Sequence, residues 1–214
     1  MGTYLPEKTD PPLATSSFTS DAAGCPDNSA WTSEIGCGVV GLDANNNTIL
    51  GYQLWWPKDF ITEKTDNKGV RFGNKTSTLE VIGILLPFVL IPEKLKNQHI
   101  RVFTDNAACV YGMKDGYIKK DEYASIFIRA ITLISAYLGS VVHTMHTPRR
   151  STWEAELADN MSRQSTTSFL EKQILCRYKN FTVPEALVNW LRNPTDDWGL
   201  ATRLLSYVMS ICHE

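Results

Sequence analysis

The chain has 214 residues, of which 43% are hydrophobic and 21% are charged, and its formal net charge is −2. This length and composition predict one globular domain with a substantial core, or one domain with an appendage. The nearly balanced charge excludes a strongly basic nucleic-acid coat protein, although it leaves room for a local basic patch.

The first third of the chain predicts a loose tail, three strands and a loop. Residues 1–15 are rich in Pro, Thr and charge, which is typical of a flexible tail. The segment SSFTSDAAG (16–24) predicts a strand that ends on Asp21. Residues 36–57 predict a hairpin, because two apolar strands flank an Asn-rich turn. The polar stretch 58–75 predicts a long loop.

A helix is predicted from Thr76 onwards, because apolar residues recur at spacings of three and four: Leu79, Ile82, Leu86 and Val89. Thr76, Ser77 or Thr78 is expected to cap its first turn. Pro87 is expected to kink the helix or end it early, since proline cannot donate a backbone hydrogen bond.

The rest of the chain alternates strands with helices. The predicted elements are a strand ending on Asp105, a short helix from Asn106, a long helix, a strand and a last helix, at 99–105, 106–113, 122–139, 140–146 and 150–163. Trp153, Leu157 and Met161 are expected on the buried face of the last helix. A hairpin followed by alternating units predicts an α/β fold with a mixed sheet flanked by helices. We expect the domain at 16–163 and a helical C-terminal appendage at 164–214.

Four acidic residues stand at related places, two at strand ends and two on helices: Asp21, Glu80, Asp105 and Asp159. If the first and fourth strands are neighbours, Asp21 and Asp105 lie side by side at one edge of the sheet. Adjacent carboxylates repel each other or take up protons unless cations lie between them. Hard divalent ions with oxygen ligands satisfy such a cluster, and two ions about 4 Å apart support phosphodiester hydrolysis.

The chain resembles type 1 ribonucleases H in four segments that occur in the family's order: FTSDAAG (18–24), STLEVIG (77–83), VFTDNAACVYG (102–112) and HTPRRSTWEAELADNMSR (146–163). The last is the most specific, because a His-x-Pro segment precedes an Ala-Asp-x-x-Ser-Arg block. More narrowly, the chain is similar to the ribonuclease H domains of retroelement reverse transcriptases, including tyrosine-recombinase retroelements. The resemblance covers residues 16–163.

This resemblance implies a ribonuclease H-like fold and a two-metal-ion endonuclease that cuts the RNA strand of RNA·DNA hybrids. Water attacks in line and leaves a 5′-phosphate and a 3′-hydroxyl. Two Mg²⁺ ions, for which Mn²⁺ can substitute, would be held by the four carboxylates: Asp21, Glu80, Asp105 and Asp159. A reverse transcriptase module, in the same chain or an associated one, is the implied partner.

The resemblance also assigns residues to proton transfer and to substrate binding. His146 matches the loop histidine that assists catalysis in the family, with His143 as an alternative. Asn106 is expected to contact the substrate backbone, and Thr76 and Ser77 stand where many members carry an Asn that contacts nucleic acid. A phosphate-binding surface is expected from basic residues, unless they are scattered solubilising charges: Arg149, Arg150 and Arg163, with Lys114, Lys119 and Lys120.

Three other functions are less compatible with these residues. A transposase or integrase of related fold typically lacks the helix-borne Glu and ends on Glu, whereas this chain has Glu80 and ends on Asp159. A proofreading exonuclease would carry Asp-x-Glu on the first strand, where Asp21 is followed by Ala22 and Ala23. A domesticated or structural domain that binds nucleic acid or a polymerase without cutting remains the main alternative.

The cellular compartment is predicted from the cysteines and the N-terminal sequence. Five cysteines lack the spacing of a zinc site or a disulfide framework: Cys25, Cys37, Cys109, Cys176 and Cys212. Residues 1–17 contain no apolar leader, and the most apolar run, 81–92, is too short to span a bilayer. We therefore expect an intracellular protein, cytoplasmic or nuclear, that does not enter a membrane.

Overall fold

A computed structural model describes residues 16–24, 35–163 and 181–213. The predicted tail 1–15 and the first part of the predicted appendage, 164–180, lie outside those residues. Within them, five strands form one mixed sheet: β1 Ser16–Ala22, β2 Gly36–Asp43, β3 Thr48–Trp55, β4 His99–Thr104 and β5 Val141–His146. The predicted mixed sheet is therefore confirmed.

The strand order β3-β2-β1-β4-β5 places β1 beside β4, as the sequence predicted. Strands β1, β2 and β3 are antiparallel neighbours, whereas β1 and β4 run parallel, with Phe18 paired to Val102. The hairpin between β2 and β3 turns at Asn46, whose φ of 62° lies in the left-handed region that Asn tolerates. Because β1 and β4 are parallel, residues at their carboxyl ends meet at one edge of the sheet.

Seven helices are described, and we number them in chain order: α1 Lys58–Thr62, α2 Thr76–Leu90, α3 Ala107–Asp115, α4 Glu122–Leu138, α5 Trp153–Ser162, α6 Glu185–Arg192 and α7 Gly199–Ile211. Helix α2 packs on β1 and β2, and α4 packs on α2. None of the described helices is long and apolar enough to cross a membrane.

Helix α5 covers the other face of the sheet. Val40 packs with Leu157 and Met161 of α5, whereas its neighbour Val39 belongs to the main core with α2. Successive residues of a strand point to opposite faces, so α2 and α5 lie on opposite sides. Gly38 permits the close approach of α5, because a Cβ there would lie 2.6 Å from the carbonyl oxygen of Ala158.

Pro87 does not end α2 early, and the expected side-chain cap is wrong. The helix continues past Pro87 to Leu90, because proline removes only the bond to the carbonyl of Gly83 and the last turn is buried, while a kink at Pro87 stays a prediction. No threonine or serine side chain caps the first turn, since the N-cap residue is Lys75. The Thr78 hydroxyl donates instead to the carboxylate of Asp121, at 2.8 Å.

The segment predicted as a long loop is part of the core. It contains α1 and a short 3-10 turn, Phe72–Asn74, and it buries the rings of Phe60 and Phe72, which stack with centroids 5.0 Å apart. Its helical turns are too short to produce a visible periodicity in the sequence. The prediction of a loop was therefore wrong for Lys58–Thr62 and Phe72–Asn74, whereas the residues between them are irregular as expected.

The C-terminal helices pack on the rest of the domain. Trp190 of α6 lies edge-on to Phe127 of α4, with ring centroids 4.8 Å apart, and α7 packs along α4. A domain boundary at residue 163 stays a prediction. In α5, Leu157 and Met161 are buried as expected, but Trp153, the first residue of the helix, is 45% exposed, so this part of the expectation was wrong.

Candidate active site

Three of the predicted acidic side chains meet at one edge of the sheet. Asp21 is the penultimate residue of β1, Glu80 is the fifth residue of α2, and Asp105 directly follows β4. One carboxylate oxygen from each lies within 4.8 Å of the other two. Asp21 and Glu80 are buried, whereas the side chain of Asp105 is 28% exposed. The sheet and α2 therefore form the buried side of the cluster, and Asp105 is its most exposed member.

The carboxylate of Glu80 is the most deeply buried of the three. It accepts hydrogen bonds from the backbone N–H of Ala22, at 3.1 Å, and from the hydroxyl of Thr104, at 3.4 Å. Burial, and then the negative charges of Asp21 and Asp105, raise the pKa of Glu80 well above its usual value. These two hydrogen bonds fix the side chain toward the other carboxylates.

Asp21 is held by a serine that the sequence analysis did not single out. The hydroxyl of Ser162, the last residue of α5, donates to the Asp21 carboxylate at 2.6 Å. Burial raises the pKa of Asp21, the Ser162 bond opposes this, and the charges of Asp159 and Asp105 add to the rise. The serine belongs to the Ala-Asp-x-x-Ser-Arg block, which was the available signal.

The fourth predicted acid, Asp159, lies beside the cluster but is engaged by three arginines. Its side chain is only 1% exposed, and Arg149, Arg150 and Arg163 all donate to it. Burial alone would raise the pKa of Asp159, but the bonds from Arg150 and Arg163 and the charge of Arg149 outweigh it and lower the pKa. Asp159 is therefore an ionised carboxylate with its counter-ions already in place.

Arg149 links Asp159 to the other carboxylates. Its Nη2 lies 3.7 Å from an oxygen of Asp21, and its Nε lies 3.9 Å from an oxygen of Asp105. Burial lowers the pKa of this guanidinium, but the charges of Asp21 and Asp159 outweigh it and raise the pKa. The sequence predicted that this arginine contributes to a phosphate-binding surface, whereas the structure places its guanidinium among the acidic side chains.

The residue types at the cluster fit a hard divalent cation. Asp21, Glu80 and Asp105 offer only oxygen donors, close enough together for one ion to share them. Burial first, and repulsion from the neighbouring acids after it, raise the pKa of Asp21 and of Glu80, and a bound cation would oppose both effects. Among the described residues, these three side chains form a group whose oxygen atoms are spaced closely enough to hold a metal ion.

An open cleft of about 750 Å³ borders the cluster. Thr76 and Asn106, both predicted to contact substrate, line it, together with Asn74, which the sequence analysis missed. Asn74 follows Phe72 and Gly73 in the 3-10 turn just before α2, so its signal was hidden in the segment predicted as a loop. The Asn106 side chain also caps α3 by accepting from the N–H groups of Ala108 and Cys109.

Two other predicted residues lie near this cleft in different ways. Ser77 is partly buried, and its carbonyl oxygen lies 3.7 Å from the thiol of Cys109, so it holds α2 against α3. His146, the last residue of β5, is exposed, and its Nε2 lies 3.2 Å from the carbonyl oxygen of Asp105. The imidazole is thus placed at the rim of the acidic cluster, beside its most exposed member.

No protein-family model and no curated protein sequence matches the chain. Its structure is similar to that of the N-terminal RNase H domain of Rv2228c from Mycobacterium tuberculosis, solved as a fusion with maltose-binding protein. The TM-score is 0.50 at 12% identity, over 69% of this chain and 98% of that chain. LC11-RNase H1, isolated from compost by a metagenomic approach, aligns with a TM-score of 0.47 at 18% identity, over 70% of this chain and 93% of that chain. The fold is ribonuclease H-like.

Proposed function

We propose that this protein is a divalent-metal-dependent endonuclease that hydrolyses the RNA strand of RNA·DNA hybrids. The observation that carries the proposal is the convergence of Asp21, Glu80 and Asp105, with one oxygen of each within 4.8 Å of the others, on a ribonuclease H-like sheet. Buried like charges are costly, so a cluster of this kind points to a cation that it is built to hold.

The proposed cofactor is Mg²⁺, as two ions, with Mn²⁺ able to substitute. Asp21, Glu80 and Asp105 would hold it, and Asp159 would join them at the second ion. When bound, such ions activate a water and stabilise the leaving oxygen, which gives a 5′-phosphate and a 3′-hydroxyl. Glu80 is kept in place by hydrogen bonds from Ala22 and Thr104, so the position of this one ligand is set before any ion or substrate arrives.

The protein's remaining proposed roles concern the substrate. Thr76 and Asn106 line a cleft of about 750 Å³ beside the carboxylates, which gives them access to a nucleic-acid backbone. Arg149, Arg150 and Arg163 are half-exposed and supply positive charge for phosphates at the same mouth. His146 stands next to Asp105, where it can take up or release a proton as product leaves.

The biological context is also a proposal. The order of the four motifs, and above all the block at 158–163, favours a retroelement reverse transcription enzyme that works with a reverse transcriptase module in the same or an associated chain. Reverse transcription produces RNA·DNA hybrids, which would be the substrate. The cysteine usage is compatible with an intracellular site of action, in the cytoplasm or the nucleus.

One observation favours a second candidate, a ribonuclease H-like domain that binds nucleic acid or a polymerase without cutting. Asp159, the fourth carboxylate of the proposed metal site, forms ion pairs with three arginines. A domain that no longer held two ions could use such ion pairs to stabilise its fold. The two candidates differ in whether the cluster binds metal and supports cleavage.

Cleavage assays separate the two candidates. The protein is incubated with labelled RNA·DNA hybrid, double-stranded RNA or double-stranded DNA, with Mg²⁺, Mn²⁺ or EDTA. We expect cutting of the hybrid alone, abolished by EDTA and reduced at least about a hundredfold in Asp105→Asn, since loss of one electrostatic group at an active site typically has that effect. Asp115→Asn, an exposed acid at the end of α3, is the matched control and should cut normally. No cutting by the parent protein with either ion would support the non-cutting domain.

A further inference from the structure

The carboxylate of Asp159 has no acceptor capacity left on the oxygen that faces the cluster. Its Oδ1 accepts hydrogen bonds from Nε of Arg149, at 2.9 Å, and from Nε of Arg163, at 3.0 Å, and lies 2.7 Å from Nη2 of Arg149. Its Oδ2 accepts from Nε of Arg150, at 2.7 Å, and lies 2.6 Å from Nη2 of the same side chain. A carboxylate offers about four lone-pair sites in all. Both lone pairs of Oδ1 are thus engaged, so this oxygen can ligate a cation only after Arg149 or Arg163 has left.

Arg149 is the arginine that stands between Asp159 and the other carboxylates. Its guanidinium lies 3.7 Å from Asp21 and 3.9 Å from Asp105 in addition to its contacts with Asp159. A small space of about 10 Å³ lies beside Arg149 and is lined also by Asp21 and Asp105. That is roughly the room needed for one water molecule, so a hydrated ion does not fit there beside Arg149. The larger open cleft borders Asp21, Glu80 and Asp105, and Arg149 lines it as well.

We propose that Arg149 is a displaceable counter-ion that blocks one of two cation positions, so that divalent ions bind in a fixed order. The first ion enters from the cleft at Asp21, Glu80 and Asp105, and Asp159 becomes a ligand for the second only after Arg149 has released it. This inference rests on the proposed function, because it concerns the same metal site.

The geometry explains why Arg149 is the one to leave. Arg163 is on the same helix as Asp159, four residues later, so its contact is local and persists with the helix. Arg150 binds the far oxygen of Asp159. Arg149 and Arg150 both lie outside the helices and strands, with side chains 46% and 56% exposed, so rotation of either side chain alone can carry its guanidinium into solvent. Only Arg149 also lies near Asp21 and Asp105, at 3.7 and 3.9 Å, where a first ion would bind. An ion bound at Asp21 would also repel it.

Binding of Mn²⁺ to the free protein, without nucleic acid, tests the proposal. Titrations are followed by electron paramagnetic resonance of unbound Mn²⁺ and by calorimetry, for the parent protein, Arg149→Gln and Arg101→Gln. Arg101 is an exposed arginine on β4 outside the cluster and controls for the lost charge. We expect two sequential sites in the parent protein. Arg149→Gln should tighten the second site by about tenfold or more, roughly the effect of removing one charged competitor, and the first site by less.

The outcomes separate this inference from the proposed function. An unchanged second site in Arg149→Gln, or equal tightening in Arg101→Gln, would overturn the role of Arg149 while leaving the metal site intact. If the parent protein binds no Mn²⁺, or if Asp105→Asn binds it equally well, the metal site itself is wrong and both ideas fail.

A second variant keeps the test valid if Arg149→Gln does not fold, as judged by circular dichroism. Arg149→Lys keeps the charge but replaces the two parallel N–H donors with a single ammonium group. It should tighten the second site by less than Arg149→Gln would, yet measurably above the parent protein. A second-site affinity equal to that of the parent protein in Arg149→Lys would then overturn the proposal.

Discussion

At the scale of single residues, the carboxylates of the cluster differ because their neighbours differ. Glu80 and Asp21 are buried beside other acids, which raises the pKa of both. Asp159 is equally buried, but three guanidinium groups lower its pKa. The cluster therefore contains two acids that resist ionisation and one whose ionisation is already compensated. This contrast has direct consequences for stability.

The first prediction concerns the pH dependence of the free energy of unfolding in the absence of metal. A carboxyl group whose pKa is raised by folding contributes stability below its unfolded pKa, and that contribution is lost as pH rises through the folded pKa. Glu80→Gln removes the ionisable group and therefore removes this loss of stability at higher pH. We expect the variant to be more stable than the parent protein at neutral pH, with the advantage shrinking toward pH 4, as measured by urea unfolding in EDTA.

Glu63→Gln is the matched control for this measurement. Glu63 follows α1, outside the acidic cluster, and carries the same functional group. Its replacement should leave the pH profile of the unfolding free energy unchanged. If the free energy of unfolding of the parent protein rises steadily from pH 5 to pH 8 in EDTA, Glu80 is not a carboxyl group whose pKa is raised by folding.

At the scale of elements, helix α5 connects the sheet to the site. Its first turn is capped by Thr152, whose hydroxyl oxygen accepts from the N–H of Ala155 at 3.2 Å. Its middle lies against Gly38, which pairs with Asp21 on the adjacent strand. Its last residue, Ser162, bonds to Asp21. The placement of Asp159 and Ser162 beside Asp21 thus depends on the position of one helix.

The second prediction tests the cap of this helix. Thr152→Ala should lower the free energy of unfolding by about 1 kcal/mol, the usual cost of losing an N-cap oxygen. Thr152→Ser keeps the oxygen and should lie within about 0.5 kcal/mol of the parent protein. Both values come from denaturant unfolding. Equal losses in the two variants would show that the methyl group, rather than the cap, matters at this position.

The C-terminal helix α6 completes an aromatic cluster that begins in the segment between β3 and α2. Trp190 is buried against Phe60, Phe72 and Phe127, with ring centroids 4.8–5.8 Å apart. Aromatic pairs at such distances add to the stabilisation from burial. The packing ties residues 58–75 and α6 to the same core as α4, so these elements are expected to unfold together.

The third prediction follows from this packing. Trp190→Ala should lower the free energy of unfolding by about 3–5 kcal/mol, because it removes a large buried ring and leaves a cavity. Trp198→Ala is the matched control, since Trp198 is 47% exposed, and it should cost about 1 kcal/mol or less. Chemical denaturation followed by circular dichroism measures both. A small loss in Trp190→Ala would indicate that α6 is not integral to the domain.

At the scale of the whole molecule, the sheet brings the carboxyl ends of β1 and β4 to the same edge. Parallel pairing of β1 with β4 brings Asp21 and Asp105 together, and α2 brings Glu80 over the same edge. The main core, shared by the sheet, α2, α4 and the C-terminal helices, holds these elements in register. Folding therefore places mutually repelling acids side by side, which lowers the free energy of unfolding. Metal binding is expected to offset this loss and so to stabilise the whole domain.

The fourth prediction concerns this linkage. Addition of Mg²⁺ should raise the midpoint temperature of unfolding, because an ion that binds only the folded state stabilises it by mass action. The rise should grow as the pH increases from 5.5 to 8, since the raised pKa values of Asp21 and Glu80 mean that protons compete with the ion more strongly at lower pH. Differential scanning fluorimetry measures the shift. Asp105→Asn should reduce it, while an equal shift with NaCl of matched ionic strength would attribute it to screening.

Much of the fold follows from local patterns in the sequence. The strands, α2, α4 and the order of the elements were predictable because apolar periodicity and turn residues are properties of neighbouring positions. The candidate acids were predictable for the same reason, since Asp21 and Asp105 stand where strands end. The helical turns around Phe60 and Phe72 were not, because their burial depends on Trp190, more than a hundred residues away in the chain.

The sequence by itself determined which residues could form an acidic cluster and on which elements they lie. Only the tertiary structure decided how the charges within it are balanced. Asp159 looks the same in the sequence as the other three acids, yet it is bound by Arg149, Arg150 and Arg163, while the rest of the cluster faces the cleft. The reason is physical: the pKa and ligand capacity of a carboxylate depend on the charges and donors within a few ångströms, and folding, not chain order, sets those distances.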